Sequence, residues 1–253
     1  MSDILTIAEI GKLKRTAVVD TCYNTLMQAI NDASVDWALN VADDRGVTGQ
    51  VFGRITGDTT VDWGSLGTFN DIAASSTAMD AVAASSTACT AIAASATAIT
   101  ALDNSSPILV PQMTSNTAPS GVVSAGIAHA SFPAWYAFDK NTSTWWSAGS
   151  AGAGESVWWL EYAFTSAVWC YKFDVNNYTA EVGYVPKDVR VQYYDGSAWQ
   201  DATSTITLET TALTRTHVVC APSGKVTRWR LKIDNTVSGT NWPALYELQF
   251  YCK

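Results

Sequence analysis

The chain has 253 residues, of which 47% are hydrophobic and 15% charged, which is typical of a globular protein with one large domain or two smaller ones. The net charge is −8 and no block of Lys or Arg occurs, so nucleic acid and anionic membrane surfaces are not expected as partners. No run of 18 strongly apolar residues is present, and the first four residues, Met-Ser-Asp-Ile, lack the pattern of a signal peptide. We therefore expect neither membrane insertion nor a leader.

The N-terminal part, residues 1–71, predicts a helix followed by irregular structure. Apolar residues recur at i, i+4 spacing from Val18 to Ile30, which indicates a helix from about Thr16 to Asn31. Residues 36–64 are β-rich and interrupted by glycine, which favours short strands or extended loops. This part is too small for a robust core of its own, so we expect a docking or oligomerisation base.

Residues 72–102 contain three ten-residue units rich in Ala, Ser and Thr, which begin at Ile72, Val82 and Ile92. The apolar positions and the serines between them recur about every 3.3 residues, below the 3.6 of a straight helix. Several copies wound around each other would keep such a stripe inside. We expect a helical stalk on the order of 45 Å long, most simply a trimeric coiled coil. A β-structured shaft and an intramolecular helix pair are the alternatives.

Residues 103–114 form a Pro-containing linker, and the pattern then changes to short strands separated by turns, which is typical of a β-sandwich. In 226–233, Trp229, Leu231 and Ile233 alternate with basic residues, as on a half-buried strand. Turns are indicated at 195–196, 223–224 and 238–239. The candidate strands are 121–125, 157–163, 168–175, 187–194, 206–209, 215–220, 226–233 and 245–252.

Several motifs after residue 130 follow one another in the order known from a family of β-sandwich domains. Residues 133–146 match the pattern P-A-x-x-A-F-D-G-N-x-x-T-x-W, with Lys140 in place of the usual Gly, and 159–164, 185–199, 230–233 and 246–251 match later strands. In these motifs the chain resembles the discoidin family of galactose-binding-like domains. The resemblance covers about 115–253 and implies an eight-stranded jelly-roll β-sandwich. The whole chain is then predicted to be multidomain and mainly β, with units 1–71, 72–102, 103–114 and 115–253.

The resemblance also implies a structural Ca²⁺ near the first motif. Carried over to this chain, its ligands are Asp139, Asn141, Thr144 and Glu247. Carboxylates and neutral oxygens suit a hard cation. The alternative is that Asp139 only caps the turn through hydrogen bonds of its side chain.

Ligands of this family bind at loop tips, and sugars need an aromatic surface together with a few polar groups. Loop residues of these types are His129, Phe132, Trp135, Asn176, Tyr178, Tyr184 and Trp242, which we predict to be glycan-binding. A place in the core is the alternative for each aromatic residue. Five further tryptophans are assigned to the core: Trp145, Trp146, Trp159, Trp199 and Trp229.

These features together predict a non-enzymatic bacteriophage fibre protein, located in the virion, that attaches to a host-surface glycan. The repeat resembles Ala/Ser/Thr-rich repeats of phage fibre proteins, and residues 1–71 would bind other virion proteins. A decoration or collar protein whose sandwich binds a virion protein is the first alternative. An accessory module of a secreted glycoside hydrolase and a tail-spike hydrolase are the others. A hydrolase would need paired carboxylates, for which Glu155, Glu161 and Asp174 show no suggestive spacing.

The five cysteines show no metal-binding spacing, and we expect most of them to be reduced and buried.

Overall fold

The computed structural model describes residues 7–29, 35–149, 155–178, 180–208 and 214–253, and the chain divides into two compact units. The first unit, Met1–Pro107, contains the α-helices and is called the helical unit. The second, Ile108–Lys253, contains the strands and is called the sandwich unit. The division after Pro107 falls in the predicted linker, whereas no division between compact units occurs at the expected boundary after residue 71.

The helical unit consists of a long first helix and several shorter ones. No helix in the described ranges is both long and apolar enough to cross a membrane. The helices are α1 Ile7–Ala29, α2 Val35–Asp44, α3 Thr48–Thr56, α4 Phe69–Ala74, α5 Ser76–Ala84, α6 Ser86–Ala93 and α7 Ala96–Asn104.

The predicted first helix is present as α1, which begins at Ile7 and not near Thr16. The prediction of strands or loops was wrong for most of 36–56, where α2 and α3 lie, whereas 57–64 form a loop. The glycines of α3 allow close packing and do not break the helix. A Cβ added at Gly49 would lie 2.2 Å from the carbonyl oxygen of Leu66, and one at Gly53 would lie 2.7 Å from the Trp63 indole. Glycine is the residue that such close approach requires.

The ten-residue units do not form one continuous helix, so the prediction of a long helical stalk was wrong for this chain. The helix ends and restarts at Ser75, Ser85 and Ser95, each of which has an extended backbone. Each serine hydroxyl accepts a hydrogen bond from the backbone N–H three residues later, at 3.1–3.3 Å. The repeat thus encodes one helix N-cap every ten residues.

The apolar side chains of the repeat are used within the single chain. Helix α7 packs against α2, α4 and α6, and α3 packs against α5 and α6. A trimeric coiled coil would need the apolar positions on an outer seam, so the stripe that suggested a trimeric stalk is not available to other copies. Of the seven large apolar residues of the repeat, Ile99 is half-buried and the other six are at most 2% exposed: Ile72, Met79, Val82, Cys89, Ile92 and Leu102.

The sandwich unit consists of two antiparallel sheets. The first has the order β1-β11-β5-β9, with β3 paired to β11, and the second has the order β2-β4-β10-β6-β7, with β8 paired to β6. The strands are β1 Ile108–Leu109, β2 Val122–Ala125, β3 Trp146–Ser147, β4 Trp159–Val168, β5 Cys170–Asn177, β6 Pro186–Tyr194, β7 Trp199–Asp201, β8 Ile206–Thr207, β9 Thr214–Val218, β10 Val226–Thr236 and β11 Ala244–Cys252.

This architecture agrees with the predicted jelly-roll sandwich, and all eight predicted strands are present. The strands that the sequence did not indicate, β1, β3 and β7, have only two or three residues, too few for a period-two pattern. The predicted turns are confirmed by Gly196, Gly224 and Gly239, whose φ angles are 103°, 60° and 72°.

The core of the sandwich lies between the two sheets and is rich in aromatic residues. Trp146 and Trp229 are fully buried there, as predicted. Three tryptophans assigned to the core lie outside it and are only half-buried: Trp145, Trp159 and Trp199. All five cysteines are buried with free thiols, as expected.

Candidate functional site

A cleft of about 250 Å³ lies at the end of the first sheet where β5 ends and β11 begins. Loops that are distant in sequence line it with aromatic side chains and two polar groups. This volume is close to the lower end of the range of about 300–1,000 Å³ for small-molecule pockets, so the cleft has room for a small ligand. The lining residues are Phe132, Trp145, Ser147, Tyr178, Glu181, Tyr184, Trp242 and Ala244.

One wall of the cleft is a continuous series of aromatic rings. Phe132 stacks on Trp145 with a centroid distance of 4.5 Å and an interplanar angle of 23°. Trp145 in turn contacts Tyr178 at 5.2 Å, and His129 lies behind Phe132 at 5.1 Å. Rings held by each other in this way form a rigid apolar surface.

The backbone explains how this wall is assembled. Trp145 and Trp146 are consecutive, and at the start of β3 successive side chains point to opposite faces. Trp146 therefore enters the core, where it is 0% exposed, and Trp145 faces the cleft. The Ser147 carbonyl accepts a hydrogen bond from the His129 N–H at 2.8 Å, which holds the loop bearing Phe132 beside β3.

The opposite wall comes from two further loops. Tyr184 and Trp242 meet edge to face at 5.3 Å. Tyr184 belongs to the short 3-10 helix Val182–Tyr184, and Trp242 precedes β11. Gly183 allows the two loops to approach, because a Cβ there would lie 2.8 Å from the side-chain nitrogen of Asn241.

The cleft contains a small number of polar groups, which lie between its aromatic walls. The Glu181 carboxylate and the Ser147 hydroxyl lie among the aromatic rings of the cleft. Burial, followed by the charge of Glu181, raises the pKa of Tyr178 above its usual value. The phenol therefore keeps its proton at neutral pH and can donate a hydrogen bond. The cleft thus offers flat apolar surfaces together with a donor and acceptors.

The structure brings four of the predicted glycan-binding residues into one cleft: Phe132, Tyr178, Tyr184 and Trp242. His129 supports the wall from behind. Two predicted residues lie elsewhere. Trp135 packs against Tyr136 and the sandwich core, and Asn176 lies opposite Glu247 in the ladder between β5 and β11.

Sequence reasoning missed Trp145, Ser147 and Glu181 as cleft residues. For Trp145 a signal existed, because two consecutive tryptophans at the start of a strand cannot both face the core. Nothing in the sequence indicates that Glu181 would lie beside Ser147.

The loop Asp139–Thr144 forms a second, smaller polar centre. Asp139 accepts hydrogen bonds from the Asn141 N–H at 2.9 Å and from the Thr144 hydroxyl at 2.6 Å. The same Asn141 N–H also donates to Glu247 Oε1 at 2.8 Å. Lys140 adopts a left-handed backbone with φ 59°, which explains why Gly is usual at this position of the family motif. The four predicted metal ligands are therefore adjacent.

The carboxyl groups of Asp139 in this loop and of Glu247 on β11 lie next to each other. Burial, and then the proton shared with Asp139, raise the pKa of Glu247 from 4.5 to about 8. Within the described part of the chain no group of three or more His, Cys, Asp or Glu could hold a metal ion, so any cation here would need neutral oxygens as well. Asn141 and Thr144 supply oxygens of the type that Ca²⁺ accepts.

Of the three carboxylates considered for hydrolysis, Glu161 and Asp174 do not form a pair, and the side chain of Glu155 lies outside the described part of the chain. Glu161 lies on β4 of the second sheet and is bound by the guanidinium of Arg228 at 2.5 and 3.1 Å. Asp174 lies on β5 of the first sheet and accepts a hydrogen bond from the Tyr251 hydroxyl at 2.7 Å. These two groups belong to different sheets and cannot act on one bond.

A larger groove of about 340 Å³ lies in the helical unit and is lined by Ala17, Val18, Thr21, Cys22, Thr25, Ala38, Val41 and Arg45. The lining of this groove has no aromatic side chain and only one charged group. The smaller cleft of the sandwich unit combines several aromatic rings with polar groups, and we therefore take the cleft as the candidate site.

No protein-family model matches the chain, and no curated protein is similar to it. Among solved structures, a family 32 carbohydrate-binding module from Clostridium perfringens in complex with galactose is 16% identical, with 58% of this chain and 99% of that chain covered and a TM-score of 0.45. An F5/8 type C domain from Bacteroides fragilis is 17% identical, with 58% and 95% covered and a TM-score of 0.46. A chitosan-binding module from Paenibacillus sp. is 20% identical, with 54% and 97% covered and a TM-score of 0.40.

Proposed function

We propose that the sandwich unit is a non-catalytic carbohydrate-binding module and that its ligand binds in the cleft beside Trp145. The observation that carries this proposal is the series of stacked rings, Phe132, Trp145 and Tyr178, facing Tyr184 and Trp242 across a monosaccharide-sized space. The C–H face of a pyranose packs on such rings, because both are flat and apolar. Glu181, Ser147 and the Tyr178 phenol would then bind the ring hydroxyls.

The test is titration calorimetry of the full chain with neutral monosaccharides, beginning with galactose, and with oligosaccharides that contain them. Trp145→Ala removes the centre of the ring series, so the affinity is expected to fall about tenfold or more, equivalent to roughly 1.4 kcal/mol. Trp135→Ala is the matched control, because it removes an indole of the same unit that lies outside the cleft. Equal affinities of the two variants would contradict the proposal.

We propose in addition that Asp139, Asn141, Thr144 and Glu247 hold a structural Ca²⁺. The support is the convergence of Asp139 and Glu247 on the Asn141 N–H, which places two carboxylates together. A bound cation would neutralise them and fix the loop that leads into Trp145 and β3. The ion would have a structural role and take no part in chemistry.

We further propose that the chain is a bacteriophage virion protein that attaches to a host-surface glycan. This proposal is motivated by the low-charge Ala/Ser/Thr-rich repeat that precedes the β-sandwich. A decoration or collar protein whose sandwich binds a virion component is the alternative. The experiment is mass spectrometry of purified particles together with a glycan-binding assay. A chain present in particles that binds no saccharide but binds a virion protein would favour the alternative.

A further inference from the structure

The outer face of the second sheet carries an ordered group of basic and aromatic side chains that the cleft does not use. On β10, Trp229 and Leu231 point into the core, so Arg228 and Arg230 point outward. Trp159 of β4 and Trp199 of β7 lie on the same outer face, on either side of Arg230. Three strands thus contribute side chains to one surface.

Most of the basic residues on this face are paired with carboxylates. Arg228 binds Glu161 through two hydrogen bonds. Arg190 binds Asp234 through two hydrogen bonds at 2.7 and 2.9 Å and Asp201 at 2.8 Å. These guanidinium groups are neutralised within the protein.

Arg230 differs from its neighbours. Its Nε donates to the neutral amide oxygen of Gln192 at 2.7 Å, and its terminal nitrogens donate to no residue in the described part of the chain. The guanidinium carbon lies 4.0 Å from the centroid of the Trp199 ring and 5.4 Å from that of Trp159. The guanidinium of Arg230 therefore lies between two indoles. Its terminal N–H groups have no hydrogen-bond acceptor among the described residues.

The position of the Trp159 indole depends on Gly126, which directly follows β2. A Cβ added at Gly126 would lie 2.5 Å from the Trp159 indole nitrogen. Glycine there leaves the space that the indole fills. Burial of the guanidinium lowers the pKa of Arg230, while the nearby carboxylates of Glu161 and Asp201 act in the opposite direction.

We propose that Arg230, Trp159 and Trp199 form a second saccharide site, distinct from the cleft, that binds the carboxylate of a hexuronic acid residue. The terminal nitrogens of a guanidinium match a carboxylate through two parallel hydrogen bonds. The indoles beside it provide apolar surface for the sugar ring that carries the carboxylate. The carboxylates of Glu161 and Asp201 interact electrostatically with Arg230, but each is hydrogen-bonded to another arginine, Arg228 or Arg190. The terminal nitrogens of Arg230 therefore stay available to an anion from outside.

The test is titration of the full chain with galacturonate and with oligogalacturonates, compared with galactose, sulfate and phosphate. We expect the acidic sugar to bind and Arg230→Gln to weaken that binding about tenfold or more. Arg230→Lys keeps the charge but loses the planar pair of donors, so it should recover only a small part of the affinity. Melting temperatures of all variants verify that they are folded.

Lys187→Gln is the matched control, because it removes the same charge from β6 at a position five residues from Gln192, the partner of Arg230. This variant should bind galacturonate as the wild type does. Trp145→Ala should also bind galacturonate normally while losing neutral sugar, which separates this site from the cleft. Absence of galacturonate binding, equal binding by Arg230→Gln, or equally strong binding of sulfate or phosphate would overturn the proposal.

Discussion

At the residue scale, neighbours in sequence have different roles because the local backbone sends them to different places. Trp145 and Trp146 are adjacent, yet one lines the cleft and the other is fully buried. Asp139 and Glu247 are far apart in sequence, yet both accept a hydrogen bond from the Asn141 N–H. The family resemblance indicated which residues form the acidic loop, whereas predicting the cleft required knowing in which direction each side chain points.

The first prediction concerns Glu247. Its pKa is raised from 4.5 to about 8 in the folded chain, so the bound proton stabilises the fold. This contribution is fully present below about pH 4.5 and is lost as the pH rises through about 8. Without Ca²⁺, thermal melts of the wild type should therefore show a stability decrease over this range that Glu247→Gln lacks. The same pH dependence in both proteins would contradict the assignment.

The second prediction concerns Ca²⁺ at the same loop. Ca²⁺ competes with the proton on Glu247, so its effect should increase with pH. Millimolar Ca²⁺ should raise the melting temperature at pH 8 by several degrees and have a smaller effect at pH 5. Glu247→Gln and Asp139→Asn should reduce this shift, whereas Mg²⁺ should not reproduce it. If titration with Ca²⁺ gives neither a heat of binding nor a shift in melting temperature, the proposed Ca²⁺ site is contradicted.

At the element scale, the repeat shows how one pattern supports two structures. A recurrence of about 3.3 residues fits a wound helical seam, and it also fits short helices that restart at a serine every ten residues. The second structure is the one observed, because each serine hydroxyl caps the next helix and the apolar residues pack within the chain. The hydrophobic period could not separate these possibilities, whereas the regular placement of an N-cap residue was the available signal.

The third prediction tests these caps. Ser95 is 1% exposed and its hydroxyl accepts a hydrogen bond from the Ala98 N–H at 3.1 Å. Ser95→Ala should lower the free energy of unfolding by about 1 kcal/mol, the usual cost of losing an N-cap, as measured in urea. Ser86→Ala is the control, since Ser86 is an exposed helical residue, and its effect should be close to zero. Equal effects would mean that the capping bond contributes nothing.

At the scale of the whole molecule, the sequence allowed the sandwich to be predicted because its strands show a period of two and its turns contain glycine. It also identified the acidic loop, whose residues are close in sequence apart from Glu247. The cleft could be predicted only in part, since Phe132, Tyr178, Tyr184 and Trp242 belong to separate loops that the fold brings together. Helix α3 was missed because its glycines, which allow close packing, resemble helix breakers. Helix α2 contains no glycine and was missed because it was grouped with the glycine-interrupted segment that follows it.

The fourth prediction concerns oligomeric state. Since six of the seven large apolar residues of the repeat are buried within one chain and Ile99 is half-buried, the repeat presents no continuous exposed apolar seam that requires partners. Light scattering at micromolar concentration should give a mass near 27.1 kDa. A mass three times larger would contradict this prediction and support the trimeric stalk that was predicted from the sequence.

The central claim is that the aromatic cleft of the sandwich unit binds a sugar. The most direct measurement is a glycan microarray probed with the labelled full chain and with the Trp145→Ala/Trp242→Ala double variant, after both are shown to be folded. We predict saccharide signals for the wild type that the double variant loses at the neutral glycans. A wild-type chain without any saccharide signal, or a double variant with the same signals, would contradict the claim.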